Sequence, residues 1–280
     1  MNWFTTHDLL KRSEPFTYST DYIVWYFAVA ILFCVGIYFL NKYKTENRVK
    51  FVLIVLWATA VVIDLVKLIV NICTDFSIHS DLPLYVCSLF LYIMPFAIWG
   101  KGIFKTIGAA YICTIGIFGA IGNYIVPSVI IHYSLFSFYG FHTTLYHTLL
   151  WVTALVMLCT RYFKFRFKDF GWQMLGFIVI TLPVIPFNYI TDSNYMYFNT
   201  GIFIEDFAAK VSYAWPLILY VAYAAIMMVM QLIDMGLIKL VEITIPAIKK
   251  RLNKNQKSAD NADATTEQHP MKSDSKNNNE

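Results

Sequence analysis

Seven long apolar runs constrain what this chain can fold into. They lie at residues 22–40, 50–72, 82–99, 104–125, 140–160, 171–189 and 212–234. A helix rises about 1.5 Å per residue, so each run covers roughly the 30 Å of hydrocarbon in a bilayer. Lipid offers no partners to backbone N–H and C=O groups, and a helix pairs them within itself. Barrel strands are about ten residues long and alternate in polarity; these runs do neither. Only 14% of residues are charged and 58% are hydrophobic, whereas soluble domains carry about a quarter charged residues. The expected fold is an all-α membrane protein with seven transmembrane helices.

Lysine and arginine set the expected orientation. Counted alternately over connections and ends, 18 fall on one side and three on the other, and Lys67 lies inside a run. By the positive-inside rule the N-terminus is outside and the C-terminus cytoplasmic. The domain plan is a polar lead at 1–21, a seven-helix domain at 22–235, a basic amphipathic interfacial helix at 236–252 and a disordered cytoplasmic tail at 253–280. Pro246 is expected to end or kink the interfacial helix. The lead shows no pattern of a cleaved leader. The net charge of +4 sits in short loops and the tail, a topology signal; no nucleic-acid partner is expected.

Polar residues within spans are costly and mark candidate sites. With the orientation above, Asp64 lies roughly 12 Å, Lys67 roughly 8 Å, Cys87 roughly 8 Å and His147 roughly 10 Å below the outer end of its helix. Asn123 and Asn188 close their runs on the same side. These six residues form one layer in the outer half of the bilayer, while Gln173, Gln231 and Asp234 are expected near the inner surface in reach of water. The layer implies an outward-facing polar cavity. Asp64 and Lys67, three apart on one helix face, are expected to pair. His142 is expected near the surface, about 140° around the helix from His147.

A cysteine near a histidine and an asparagine is the constellation of a thiol nucleophile, with His147 accepting the proton of Cys87 and an amide orienting the ring. The other four cysteines, Cys34, Cys73, Cys113 and Cys159, read as small buried hydrophobes. No metal is expected, because the histidines show no ligand spacing, and no cofactor, because no phosphate-cradling loop is present. Gly116, Gly119 and Gly122 suggest a face for close helix packing. Pro183 and Pro186 are expected to bend the sixth run. The aromatic segment 191–199 reads as a lid or an interfacial loop.

The string Leu82-Pro83-Leu84-Tyr85-Val86-Cys87-Ser88 resembles the signature of the YwaF-type integral membrane proteins, bacterial proteins with a vertebrate branch. The likeness extends to Tyr146-His147-Thr148-Leu149, to Asn188 and to Asn194-Tyr195, over most of residues 20–235. It implies a multi-pass protein of the bacterial plasma membrane. The vertebrate branch is described as a thiol-dependent phospholipid acyltransferase, which implies a lipid acyltransferase or acyl hydrolase with Cys87 as nucleophile and His147 as base. Asn188, Asn123, Lys67, Asp64, Tyr85, Asn194 and Tyr195 are the binding or orienting candidates, with Lys67 or Asn123 stabilising the oxyanion. Membrane lipids are the expected partners. The family pattern often has histidine where this chain has Tyr85. Two other classes fit the same runs: a small-molecule permease using Asp64 and Lys67, and a non-enzymatic sensor or assembly factor working through the basic tail.

Overall fold

The computed structural model describes residues 20–125, 133–200 and 205–266, and among these the regular structure is helical, without strands. The chain divides into two units, Met1–Met235 and Gly236–Glu280. The helices are α1 (Thr20–Lys42), α2 (Glu46–Thr74), α3 (Phe90–Trp99), α4 (Ile103–Tyr111), α5 (Ile117–Ile125), α6 (Phe138–Cys159), α7 (Asp169–Thr181), α8 (Val184–Thr191), α9 (Glu205–Lys210) and α10 (Trp215–Thr266). A single wide π-turn, Ile112–Gly116, joins α4 to α5. Six stretches are long and apolar enough to cross a membrane: α1, α2, Ile103–Gly122, α6, Asp169–Thr191 and Trp215–Leu240.

The third apolar run departs from expectation. Only its second half, Phe90–Trp99, is α-helical, and the residues from Leu82 to Leu89 form turns. Pro83 explains the start: it has no N–H to donate, and it pushes Leu82 out of the helical region. Leu84 N–H then bonds back to the Leu82 carbonyl at 2.8 Å, a three-residue turn.

The connections between helices gather at two ends of the bundle. At one end, Lys44 bonds the Thr160 carbonyl, Tyr162 donates to the Ala97 carbonyl at 3.1 Å, and Gln231 donates to the Arg166 carbonyl at 3.0 Å. Lys105 lies 4.1 Å from the centre of the Tyr162 ring. This end carries the basic loops. At the other end, Tyr139 donates to Asn71 at 2.9 Å, Tyr195 to the Ile78 carbonyl at 2.8 Å, and Trp215 to the Tyr197 carbonyl at 2.7 Å. The third run reaches both ends, because Leu82 is held by Tyr195 and Ala97 by Tyr162.

Close packing falls at glycines other than the expected three. A Cβ on Gly108 of α4 would lie 2.3 Å from the Ala97 nitrogen of α3, and one on Gly176 of α7 would lie 2.3 Å from Ile107 Cγ2. Lipid supplies no hydrophobic drive between helices, so such small residues decide how closely backbones meet. Gly119 and Gly122 have no described atom within 4 Å of an added Cβ, and Gly116 meets only the Tyr111 carbonyl at 3.5 Å. The π-turn adds a residue and rotates α5 relative to α4 by about 100°, taking Gly119 and Gly122 off the packed face.

The sixth run breaks where Pro183 requires: α7 ends at Thr181 and α8 begins at Val184. Pro186 sits in the first turn of α8, where a missing N–H leaves nothing unpaired. Helix α10 continues through Pro246 to Thr266, further than the sequence predicts. Residues 247–266 hold no glycine or second proline and include four Lys and four Ala, which favour helix. Of the lead at 1–21, residues 1–19 lie outside the described residues, as do residues 267–280, and Thr20 and Asp21 open α1.

The glycine contacts make opposite predictions for one substitution. Gly108→Ala forces backbone apart and should lower stability by about 1–3 kcal/mol. Gly119→Ala meets open space and should be neutral or stabilising by up to about 1 kcal/mol through helix propensity. Thermal unfolding of the two purified variants in one detergent checks this, and equal losses would remove the packing account.

Candidate functional site

The turns from Leu82 to Leu89 leave backbone groups without helical partners, and three tyrosines supply them. The Leu82 N–H donates to the Tyr195 hydroxyl at 3.0 Å, and that hydroxyl donates to the Ile78 carbonyl at 2.8 Å. Tyr111 donates to the Val86 carbonyl at 2.6 Å, and Tyr146 to the Cys87 carbonyl at 3.4 Å. All three tyrosines are buried. Each comes from a different part of the chain: Tyr111 from the end of α4, Tyr146 from α6, Tyr195 from the loop after α8. Burial pushes the Tyr195 hydroxyl above its ordinary range.

Tyr195 is itself held firmly. Asn188, fully buried on α8, donates from Nδ2 to the Tyr195 carbonyl at 2.8 Å and accepts from its N–H at 3.0 Å. Three residues of this loop adopt left-handed backbone: Asp192, Met196 and Tyr197, with φ of 54°, 57° and 61°. Such a conformation costs about 1–2 kcal/mol in a non-glycine residue. It is stabilised here by Trp215 and by Tyr223, which donates to the Met196 carbonyl at 3.2 Å. Asn194 adds a clasp, donating to Thr200 Oγ1 at 2.6 Å and accepting from the Asn199 N–H at 3.0 Å.

The predicted site residues are therefore distributed in a particular way. Cys87 is half-buried in the turn segment just before α3, next to Ser88. His147 is half-buried on α6, and its Nδ1 lies 2.8 Å from the Thr143 carbonyl. A carbonyl only accepts, so Nδ1 carries the hydrogen of the neutral ring and Nε2 keeps its lone pair. This bond orients the ring; Asn188 does not, because its amide is committed to Tyr195. Asp64 does not pair with Lys67. It lies on the face of α2 that packs on α6, 3.7 Å from Nε2 of His142, an ion-pair distance longer than a hydrogen bond. His142 is buried, and its ring stacks on Tyr146 with 5.8 Å between centres and 15° between planes.

Lys67 makes no hydrogen bond or ion pair with the described residues. It lies within electrostatic range of the Cys87 thiol and of the His142 and His147 rings. The ring of Tyr85 packs edge-on against Tyr195 at 5.0 Å, and its hydroxyl makes no hydrogen bond among the described residues. The side chain of Asn123 lies outside those described. Among the described residues no group of three or more His, Cys, Asp or Glu side chains could hold a metal ion.

Two expectations about burial are corrected. Gln173, Gln231 and Asp234 are buried, not exposed to water. Gln173 bonds Thr114 in the π-turn, and Gln231 bonds the Arg166 carbonyl in the connection before α7, so hydrogen bonds to neighbouring segments draw both inward. A second polar layer thus lies toward the basic end. Among the cysteines only Cys113 is fully buried; Cys34, Cys73 and Cys159 are exposed on helix surfaces. His142, Tyr111 and Tyr146 were not among the site residues expected from sequence. Their signal was available: Tyr111 and Tyr146 lie inside apolar runs, away from the helix ends where tyrosines usually sit, and a buried phenol needs a partner.

Tyr195→Phe removes both bonds of one hydroxyl and leaves the Leu82 N–H unpaired. We expect a loss of about 1–3 kcal/mol and faster proteolysis of the loop at 74–81. Tyr85→Phe removes a hydroxyl with no partner and should cost less than about 0.5 kcal/mol. Thermal unfolding and limited proteolysis of the pair check this, and a Tyr195→Phe protein as stable as Tyr85→Phe would refute the tyrosine support of the turn segment.

No similar protein was found among curated proteins, and none among solved structures. A family model does match, over residues 16–234, and it covers all six membrane-length stretches except the end of the last. The turn segment, Cys87, His147 and the Asn188–Tyr195 clasp all fall within it. The chain is a polytopic membrane protein that belongs to the TMEM164 family.

Proposed function

We propose that this protein is a thiol-dependent lipid acyltransferase or acyl hydrolase of the YwaF type. It would cross a bacterial plasma membrane seven times, with the basic end in the cytoplasm and the turn segment in the outer half. The observation that carries this reading is the position of Tyr146: its hydroxyl bonds the Cys87 carbonyl at 3.4 Å, and its ring packs edge-on to His147 at 5.9 Å and stacks on His142 at 5.8 Å. A nucleophile, a base and a cation for developing negative charge are the parts that acyl transfer requires. The bond from His147 Nδ1 to Thr143 supports the role of base, since it leaves Nε2 free to accept.

In this scheme the Cys87 thiol gives its proton to Nε2 of His147 as sulfur attacks the ester carbonyl of a phospholipid. A carbon–sulfur bond forms, and the carbonyl oxygen becomes an oxyanion stabilised by Lys67. Collapse breaks the ester carbon–oxygen bond, and the leaving alkoxide takes the proton from the His147 imidazolium. A lysolipid departs and a thioester remains on Cys87. A second lipid hydroxyl, or water, then gives its proton to His147 and attacks the thioester; the thiolate leaves and recovers that proton. The acyl chain has moved to the acceptor or to water. The permease reading has less support, because Asp64 faces His142 rather than Lys67.

The test uses purified protein in nanodiscs containing a phospholipid with an isotope-labelled acyl chain. Wild type should form a hydroxylamine-sensitive acyl-enzyme and release labelled product. Cys87→Ala should form neither, and His147→Ala should be slower by about 10²–10⁴-fold. Turnover by Cys87→Ala at the wild-type rate would end the nucleophile assignment.

A further inference from the structure

The polar layer toward the basic end holds a carboxyl group without a partner. Asp234 of α10 is only 2% exposed, its Oδ2 has no hydrogen-bond partner, and it forms no ion pair among the described residues. It lies six residues, about 9 Å, inside the end of the membrane-length stretch Trp215–Leu240. A bare carboxylate in such surroundings costs far more than a neutral acid.

A second unpaired oxygen stands one turn away. Met227, Gln231 and Asp234 form the buried face of this part of α10, while Val229, Leu232 and Ile233 are exposed. Residues three apart on a helix have Cβ atoms about 5–6 Å apart, so the ends of Gln231 and Asp234 can meet. Gln231 is pinned: its Nε2 donates to the Arg166 carbonyl at 3.0 Å. A carbonyl only accepts, so the amide nitrogen faces Arg166 and Oε1 is the atom left over. That Oε1 is buried and has no hydrogen-bond partner either. Two neighbouring buried oxygens, both acceptors, lack one hydrogen between them.

Among the described residues no charged side chain supplies it. Thr181 meets Tyr220, the Phe177 ring meets that of Tyr223, and Gln231 meets Arg166. Helices α7 and α10 are therefore antiparallel, and Asp234 lies level with the connection at 161–168. There the Arg166 guanidinium is bound twice to Asp169, at 3.0 and 2.9 Å. Arg161, Lys164 and Lys168 are exposed, and the Tyr162 hydroxyl donates to the Ala97 carbonyl. Cys113 of the π-turn lies within electrostatic range of Asp234, and its thiol is on the Ala154 carbonyl at 3.8 Å. Each ionisable group near this level is exposed or committed elsewhere. A metal ion takes about four to eight ligands, more than two side-chain oxygens provide. A proton needs only those two.

We propose that Asp234 and Gln231 form a binding site for one proton, held as a carboxylic acid whose O–H donates from Asp234 Oδ2 to Gln231 Oε1. The single hydrogen satisfies both oxygens and removes the buried charge. This site is separate from the Cys87 chemistry and stands whether or not that chemistry occurs. The experiment is infrared spectroscopy of the full chain in nanodiscs near neutral pH. The difference between wild type and Asp234→Asn should contain the carbonyl band of one protonated carboxylic acid. Gln231→Leu removes the accepting oxygen and should move that band to higher frequency. Asp234→Asn keeps the shape and presents an N–H to Gln231, so it should keep the wild-type helical circular dichroism. If it fails to fold, the frequency difference between wild type and Gln231→Leu decides. Carboxylate bands in place of the acid band, or an acid band unmoved in Gln231→Leu, would overturn the proposal. So would an acid band that gives way to carboxylate when sodium chloride replaces choline chloride, since the two oxygens would then hold a metal ion.

Discussion

A backbone that leaves the helix inside a membrane must find hydrogen-bond partners in the protein, because lipid has none. That constraint organises this structure. From Leu82 to Leu89 the chain turns instead of coiling, and side-chain hydroxyls replace the missing helical bonds. Tyrosine suits the task, since its ring packs in an apolar interior while its hydroxyl both donates and accepts. Tyr195 does both at once, joining Leu82 to Ile78. Because the three tyrosines come from α4, α6 and the loop after α8, the turn segment cannot take its shape until those elements have assembled.

The same dependence extends outward. Tyr195 is placed by Asn188, and the loop around it carries left-handed residues that would relax if released. Trp215, Tyr223 and Asn194 restrain that loop from its other side. Strain of this kind persists only where the surroundings over-determine the conformation. The chain of support therefore runs from α8 through the loop to Leu82, and then to Cys87 five residues on. Cys87 is positioned by the packing of several elements.

The bundle holds polar groups toward both ends. Asp64 faces His142, whose ring stacks on Tyr146, and Tyr146 bonds the Cys87 carbonyl. Toward the basic end Gln173 bonds Thr114, Gln231 bonds the Arg166 carbonyl, and Asp234 is buried. The π-turn at Ile112–Gly116 lies where Gln173 docks, and it also ends the glycine contact face begun at Gly108. One wide turn thus separates a tightly packed half of that helix from a looser one.

Much of this was legible in the residues alone. Run length and the scarcity of charge require membrane-length helices, and the alternation of lysine and arginine matches the gathering of basic loops at one end. Pro83 and Pro183 mark the two places where apolar runs lose their helices, since a missing N–H acts locally and can be read locally. The partners of the polar groups could not be read in this way. Asp64 stands next to Lys67 on its helix, yet it turns to His142, because α2 packs against α6 along that face. Asn188 looked like an orienting amide for an imidazole, yet both its bonds go to a loop seven residues away. Glycines three apart look like a contact face until a π-turn rotates them off it. Sequence periodicity sets what each helix can bury; which neighbour it buries it against is decided only when the helices pack.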